Sequence, residues 1–197
     1  MGRPRTVEVD DALRAAMRTF RRKGYEATSV KDLERATGLR SGSLHHAFGG
    51  KRALFLAALD HYNEHVVGGR IATYLHGDDP VKELRALFRS VLDEPGGGSF
   101  GCLLTNTAVE FAGGSRAISA KVREGFARLE DAFEAQSRRA RALGIGAKTG
   151  RTHRRTALRL LHAYQGLLVL VRFGHERAEL ETLVDDLLAD VFDGGSS

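Results

Sequence analysis

The sequence predicts an all-α fold, with a small N-terminal helix-turn-helix domain joined to a larger helical one. Three observations lead there. Proline occurs only at positions 4, 80 and 95, so almost nothing interrupts a helix from inside. Every long segment spaces its apolar residues by three and four, and none sustains the period-two alternation of a strand. Residues 28–55 read as a helix, a glycine turn, a second helix and the start of a third, which is the layout of a helix-turn-helix DNA reader.

The elements follow in order. The first helix is expected to start at Asp10 as N-cap, to bury Leu13, Ala16, Met17 and Phe20, and to end at Gly24. Ser29 caps the second helix with Asp32 as a capping-box partner, and Val30, Leu33 and Ala36 point inward. Gly38 supplies the turn, where a positive φ is cheap only for glycine. Ser41 caps the third helix, which Leu44 and Phe48 anchor. A fourth helix runs from Lys51 to Val67, and Gly68-Gly69 reads as a connector. Asp79 with Pro80 at N1 opens a helix containing Leu84, Leu87, Phe88 and Val91. Helices over 100–111, 115–143, 152–173 and 177–192 complete the chain. The domains are set at 1–50, with the helix from 51 connecting, and 51–197.

Charge agrees with a nucleic-acid partner. Residues 1–52 carry 12 basic and 6 acidic side chains, a net of +6, while the rest of the chain holds 18 basic and 19 acidic ones. The positive field coincides with the motif, as a footprint for phosphate should. A length of 197 residues suits a small reader plus one larger domain. The longest apolar run, Gly166 to Val171, is too short to span a bilayer, and the opening residues do not read as a secretory signal. A single cysteine, Cys102, rules out an intramolecular disulfide framework and suits a reducing compartment, so a cytoplasmic location is expected.

Residues 12–59 resemble the DNA-binding domain of the TetR family of bacterial transcription regulators. The matching pieces are Ala16 to Phe20, Gly24-Tyr25, Thr28-Ser29-Val30, Asp32-Leu33, Ala36, Gly38-Leu39, Ser41-Gly42-Ser43-Leu44, Phe48, and Lys51 with Leu54. The resemblance implies a homodimer whose two readers sit about one helical turn or more apart on a near-palindromic operator in double-stranded DNA. It places the third helix in the major groove, with Arg40, Ser41, Gly42, Ser43 and His46 near base edges. Arg40 could read guanine through its fork, and Gly42 allows close approach. Thr28, His45 and Lys51 would meet phosphates, helped by amides at helix N-termini, including that of Ser29. The family usually has Tyr where this chain has His45. That imidazole is either a plain polar contact or one that gains charge near its reference pKa of about 6.5. The arm with Arg3 and Arg5 resembles arms that place Arg in a minor groove; nonspecific attraction by a tail is the other reading.

A reader alone would be constitutive, so the C-terminal residues are expected to hold an effector site and the dimer interface. The last two helices are rich in Leu and Val, and the first of them is apolar on nearly every side. Such a helix must be buried in a core and an interface together; the resemblance implies that both pack against their symmetry mates. An effector cavity is expected among Leu103, Asn106, Thr107, Glu110, Phe126, Leu129, Phe133, Tyr164 and Gln165, although ordinary core packing would use the same residue types. Asn106 and Glu110, four apart on an otherwise apolar helix, are the sharpest ligand candidates, because buried polar groups need partners. Cys102 lies near a helix N-terminus, where a thiol gains reactivity, and the segment Gly101 to Leu104 resembles a subgroup of the family with members that respond to oxidants or electrophiles. A small buried hydrophobe is the alternative.

Other chemistries find no support. His61, Glu64 and His65 are out of order for a His-Glu-x-x-His site and read as a solvated face. Residues 144–149 lack the glycine and the preceding strand of a phosphate loop. No catalytic set is indicated, and no cofactor or metal is called for. The expectation is a DNA-binding transcriptional regulator, a repressor released by an unknown small-molecule effector. A thiol switch through Cys102 and a weakly specific architectural DNA binder are the alternatives.

Overall fold

The computed structural model describes residues 5–93, 100–146 and 150–192, with side chains from Val9 onward. All regular structure among them is helical. The elements are α1 (Arg5–Lys23), α2 (Val30–Thr37), α3 (Ser41–Phe48), α4 (Lys51–His61), a π turn (Tyr62–Gly68), α5 (Gly69–Tyr74), α6 (Pro80–Arg89) with a 3₁₀ turn (Ser90–Asp93), α7 (Leu103–Phe111), α8 (Arg116–Ala142), α9 (His153–Arg172) and α10 (Arg177–Phe192). None of the helices among these residues is long and apolar enough to cross a membrane.

Contacts divide the chain into two compact units. The first joins α1–α4 to α7 and the start of α8. Its core is Ala16 and Phe20 of α1, Leu33 of α2, Leu44 of α3, Leu54, Phe55 and Leu59 of α4, Leu103 and Leu104 of α7, and Ile118 of α8. The second holds α5, α6, the rest of α8, α9 and α10. There Leu84, Leu87 and Phe88 of α6 pack with Phe133 of α8, Leu160 and Tyr164 of α9, and Val184 and Leu188 of α10. Phe88, Phe133 and Tyr164 form an aromatic trio with centroids 5.2–6.0 Å apart. Among the described residues of this unit Glu83 is a buried charge: it accepts from Gln136 Nε2 at 3.0 Å and Arg139 Nη1 at 2.9 Å, so it is paired on both sides.

Several boundaries differ from the expected ones. α1 starts at Arg5, not Asp10, because no residue from 5 to 10 breaks a helix. Asp10 sits inside it and pairs one turn on with Arg14 at 2.7 Å. In α2 only Leu33 is buried; Val30 and Ala36 are exposed. Residues spaced by three fan over about 120° around an α-helix, and only the central one faces the core. The fourth helix does not end at Gly68-Gly69. Its path continues through the π turn into α5, and Gly68 takes ordinary helical angles (φ −61°, ψ −41°). The helix expected from 100 begins at Leu103, with Cys102 at its N-cap.

One glycine is needed for space alone. Gly125 of α8 lies against Asn63 and Leu104, and a Cβ there would stand 2.2 Å from Asn63 Oδ1 and 2.5 Å from Leu104 Cδ1. Gly125→Ala is expected to cost about 1–3 kcal/mol by overpacking. Urea unfolding should show a lower midpoint at unchanged slope; an unchanged midpoint would mean that α8 shifts freely.

Candidate nucleic-acid interface

The reading helix is α3, and its sequence decides which face is free. Leu44 is its buried residue and Phe48 is half-buried, so the short helix is pinned by one edge. Ser41, Gly42, Ser43, His45 and His46 are all exposed, as is Arg40 at the N-cap. The expected base-reading set thus shares one open surface made of small and polar side chains. A groove of about 330 Å³ brings Ser41, Gly42, His45 and Lys51 together with Val30 and Leu54.

The cap of α3 is not the expected one. Arg40, not Ser41, occupies the N-cap and makes no side-chain cap. The Ser41 amide instead donates to Glu34 Oε1 at 2.6 Å. A carboxylate of α2 therefore satisfies the first free amide of α3 and complements its dipole. That amide is not open to a phosphate.

At α2 the capping box forms as expected. Ser29 Oγ accepts from the Asp32 amide at 3.1 Å, and the Ser29 amide donates to Asp32 Oδ2 at 3.0 Å. Lys23 Nζ, 2.7 Å from Asp32, together with the Ser29 amide and hydroxyl, holds the Asp32 carboxyl well below the usual carboxylate range. Thr28 does not meet the expectation of a phosphate contact. It is fully buried, and its hydroxyl donates to Gly24 O at 2.5 Å, closing the corner after α1. Lys51, half-buried at the start of α4, holds its Nζ 4.3 Å from the centroid of the Tyr25 ring, a cation–π seat. Arg3 lies outside the described residues, and Arg5 is described only as the first residue of α1.

The expected effector residues fall in both units. Leu103 and Thr107 are buried in α7, with the Thr107 hydroxyl donating to Leu103 O at 2.7 Å. Asn106 and Glu110 have partners in the chain: Asn106 Nδ2 donates to Arg21 O at 3.1 Å, and Glu110 accepts from the Tyr25 amide at 2.8 Å and the Glu26 amide at 2.7 Å. The case for a ligand between them loses its premise. In the second unit Leu129, Phe133 and Tyr164 are buried, and Phe126 and Gln165 are half-buried. The Tyr164 hydroxyl accepts from Arg70 Nη1 at 3.1 Å. A groove of about 300 Å³ between α9 and α10, lined by His162, Gly166, Leu170, Leu183 and Leu187 among others, contains none of the expected effector residues. Cys102 is 4% exposed, and its sulfur accepts from the Tyr62 hydroxyl at 3.7 Å, the surroundings of a small packed hydrophobe.

Residues 12–58 match the family model described as bacterial regulatory proteins, tetR family. Over 137 residues the chain is 31% identical to YezE of Bacillus subtilis (strain 168), an uncharacterized HTH-type transcriptional regulator; the match covers 68% of this chain and 70% of YezE. The chain belongs to the TetR family. This TetR-family chain is also 48% identical over 61 residues to the HTH-type transcriptional repressor ComR of Escherichia coli (strain K12), 31% of this chain and 29% of ComR. It shares a fold with a cysteine-substituted form of the TetR-family regulator CifR, solved with a 26-bp double-strand operator DNA, at 26% identity, a TM-score of 0.78, and coverage of 95% of this chain and 98% of that one. Its relatives are regulators of transcription, not enzymes.

Two features of the site escape a reading by pattern. Glu34 as the cap of α3 carries only a faint signal, an acid seven residues before Ser41, the first residue of that helix. His61, read as part of a solvated face, is buried, with Nδ1 3.8 Å from Asp10 of α1 and its ring 4.4 Å from that of His65. Among the described residues no group of three or more His, Cys, Asp or Glu is placed to hold a metal ion. Burial, then the neighbouring His65, holds the His61 imidazole below its ordinary 6.5; Arg14 acts in the same sense, and Asp10 and Glu64 oppose it. The unfolded chain takes up this proton more readily than the fold. The stability that His61 confers is therefore fully present above pH 6.5 and is lost as pH falls below it. The denaturation midpoint should drop between pH 7.5 and 5.5, and drop less in His61→Gln. An equal drop in both proteins would place the sensitivity elsewhere.

Proposed function

We propose that this TetR-family regulator is a repressor that binds a near-palindromic duplex operator as a homodimer. Residues 1–50 act as the reader, and residues 51–197 bind a small-molecule effector that releases it. The observation that carries the reading is the open face of α3, with Arg40, Ser41, Ser43 and His46 all exposed and Lys51 lining a groove with Ser41, Gly42 and His45. CifR, in complex with its operator, and ComR, a repressor, support it by likeness. Arg40 reads a base through its guanidinium, while Lys51 and His45 meet phosphate. Effector and operator weaken each other by one common factor, because coupling is reciprocal.

Dimerisation uses α9 and α10. Of the six exposed large apolar residues described in the second unit, four lie there: Leu158, Val169 and Phe173 on and just after α9, and Leu183 on α10, with Phe173 81% exposed; Phe100 and Leu143 lie elsewhere. A patch of this kind beside an open groove marks a partner surface, and an isologous contact lets one chain cover its own copy.

Two measurements test the reading. Duplex DNA from upstream of the protein's own gene is titrated against a scrambled duplex over a range of salt. Lys51→Ala should weaken both duplexes alike and lower the slope of log affinity against log salt by about 1. Arg40→Ala should cost about 1–3 kcal/mol on the specific duplex and relax the preference at one base position. A specific-to-nonspecific ratio near one for the unaltered protein would point to an architectural binder instead.

For the interface, Leu183→Glu puts a charge on the α9–α10 face at a residue already 48% exposed. Sedimentation should shift from twice the 21.5 kDa chain mass to the single mass, with helical content retained. A dimer that survives would remove this face from the reading.

A further inference from the structure

We infer that Glu110 of α7 is a positioning residue for DNA reading: it fixes the corner after α1 and, through Tyr25, the station of Lys51. The inference rests on the reading above, in which Lys51 meets phosphate.

The corner is held from both sides. Gly24, at φ +83°, ends α1, and its amide closes the last turn on Phe20 O at 2.8 Å. The next two amides, those of Tyr25 and Glu26, point out of the helix. Each is taken by one oxygen of the Glu110 carboxylate, at 2.8 and 2.7 Å. One turn earlier on α7, Asn106 donates to Arg21 O in the last turn of α1. The pair thus engages one carbonyl and two amides where α1 stops. The fit is tight at 24, since a Cβ there would stand 3.1 and 3.2 Å from the two carboxylate oxygens and the clamp would have to give way.

What the clamp holds is a ring. Tyr25 packs 4.9 Å from Phe55 and 5.3 Å from Phe111, the residue next to Glu110. The Lys51 ammonium lies 4.3 Å from the centre of that ring. Seating a long flexible side chain on a fixed aromatic face removes rotamer freedom before DNA arrives, so less is lost on binding. The Glu110 carboxylate is the right group for the task because its two oxygens accept two adjacent amides. Gln would offer one acceptor and set its own NH₂ against the second amide.

Charge gives the inference a readout of distinctive sign. Glu110 is an exposed acid in the unit that carries the reader. If it acted only as a charge, its removal would strengthen DNA binding; as a positioning residue, its removal weakens binding.

Full-length wild type, Glu110→Gln, Lys51→Ala, the double variant, Tyr25→Leu and Glu26→Gln are titrated onto the upstream duplex by fluorescence anisotropy. The titrations run at several salt concentrations and well below each melting temperature. Glu110→Gln should weaken binding by about tenfold, the order lost with one contact to a charged group, and lower the salt slope by about 1. The double variant should bind no more weakly than Lys51→Ala alone, since the two changes act on one contact. Glu26→Gln, which removes a neighbouring charge and leaves the clamp intact, should bind as tightly as wild type or tighter. Tyr25→Leu removes the seat without touching the clamp; it should reproduce the loss and stands in if Glu110→Gln does not fold.

Wild-type or tighter binding by Glu110→Gln, or a loss that adds in full to that of Lys51→Ala, overturns the inference while Lys51→Ala still reports a phosphate contact. A wild-type protein that does not prefer the upstream duplex, or a Lys51→Ala protein with an unchanged salt slope, overturns the reading on which the inference rests.

Discussion

The cluster of Phe20, Tyr25, Phe55 and Phe111 is the packing on which the reader depends, because α2 and α3 bring almost nothing to a core of their own. Each has eight residues and one buried side chain, Leu33 and Leu44 respectively. A buried Leu contributes about 2 kcal/mol, while ordering each residue of backbone costs about 1–2 kcal/mol. Two such helices cannot stand by themselves. They are held by α1 and α4, whose Phe20 and Phe55 meet edge to face at 4.9 Å, and by α7, whose Phe111 stacks on Phe55 at 5.8 Å. The open face of α3 follows from this dependence. A helix pinned by a single residue leaves most of its surface for another molecule.

The acids of the reader show how a basic surface is kept orderly. Asp10 pairs with Arg14, and Asp32 takes Lys23 while it caps α2. Glu34 caps α3 through the Ser41 amide. Each acid sits at a helix end or one turn from a cation, where it stabilises the fold by local contacts. The exposed cations Lys31 and Arg40 remain to set the field around the reading helix. Net charge alone could not tell these roles apart, since it counts Lys23 and Arg40 alike.

Local rules were legible in the sequence where one residue type has one cheap use. Gly24 and Gly38 both adopt positive φ at helix ends, the Ser29–Asp32 box forms, and α10 spans 177–192 as its periodicity requires. The exposed polar face of α3 was legible because a short helix with one anchor leaves little else to bury. The rest failed for physical reasons. Gly68 and Gly69 read as a break, but glycine permits a turn without requiring one, and the π turn carries the helix past them. Thr28 read as a phosphate contact, yet a hydroxyl next to a corner has a nearer acceptor in Gly24 O. His61 lies on the face of α4 that α1 covers, which no pattern within α4 alone could show.

Asn106 and Glu110 show where the boundary of such reasoning lies. A polar pair four residues apart on an apolar helix needs partners, and that rule held. The spacing says nothing of what the partner is. A ligand was the expected answer, and the structure supplies Arg21 O and the amides of Tyr25 and Glu26, 84 and 85 residues away in the chain. The backbone groups at the end of α1 and the polar side chains on α7 are complementary needs, and the fold meets each with the other. A binding site inferred from unsatisfied polar residues must therefore first survive comparison with the helix ends of the same chain, because every helix leaves four donors and four acceptors looking for partners.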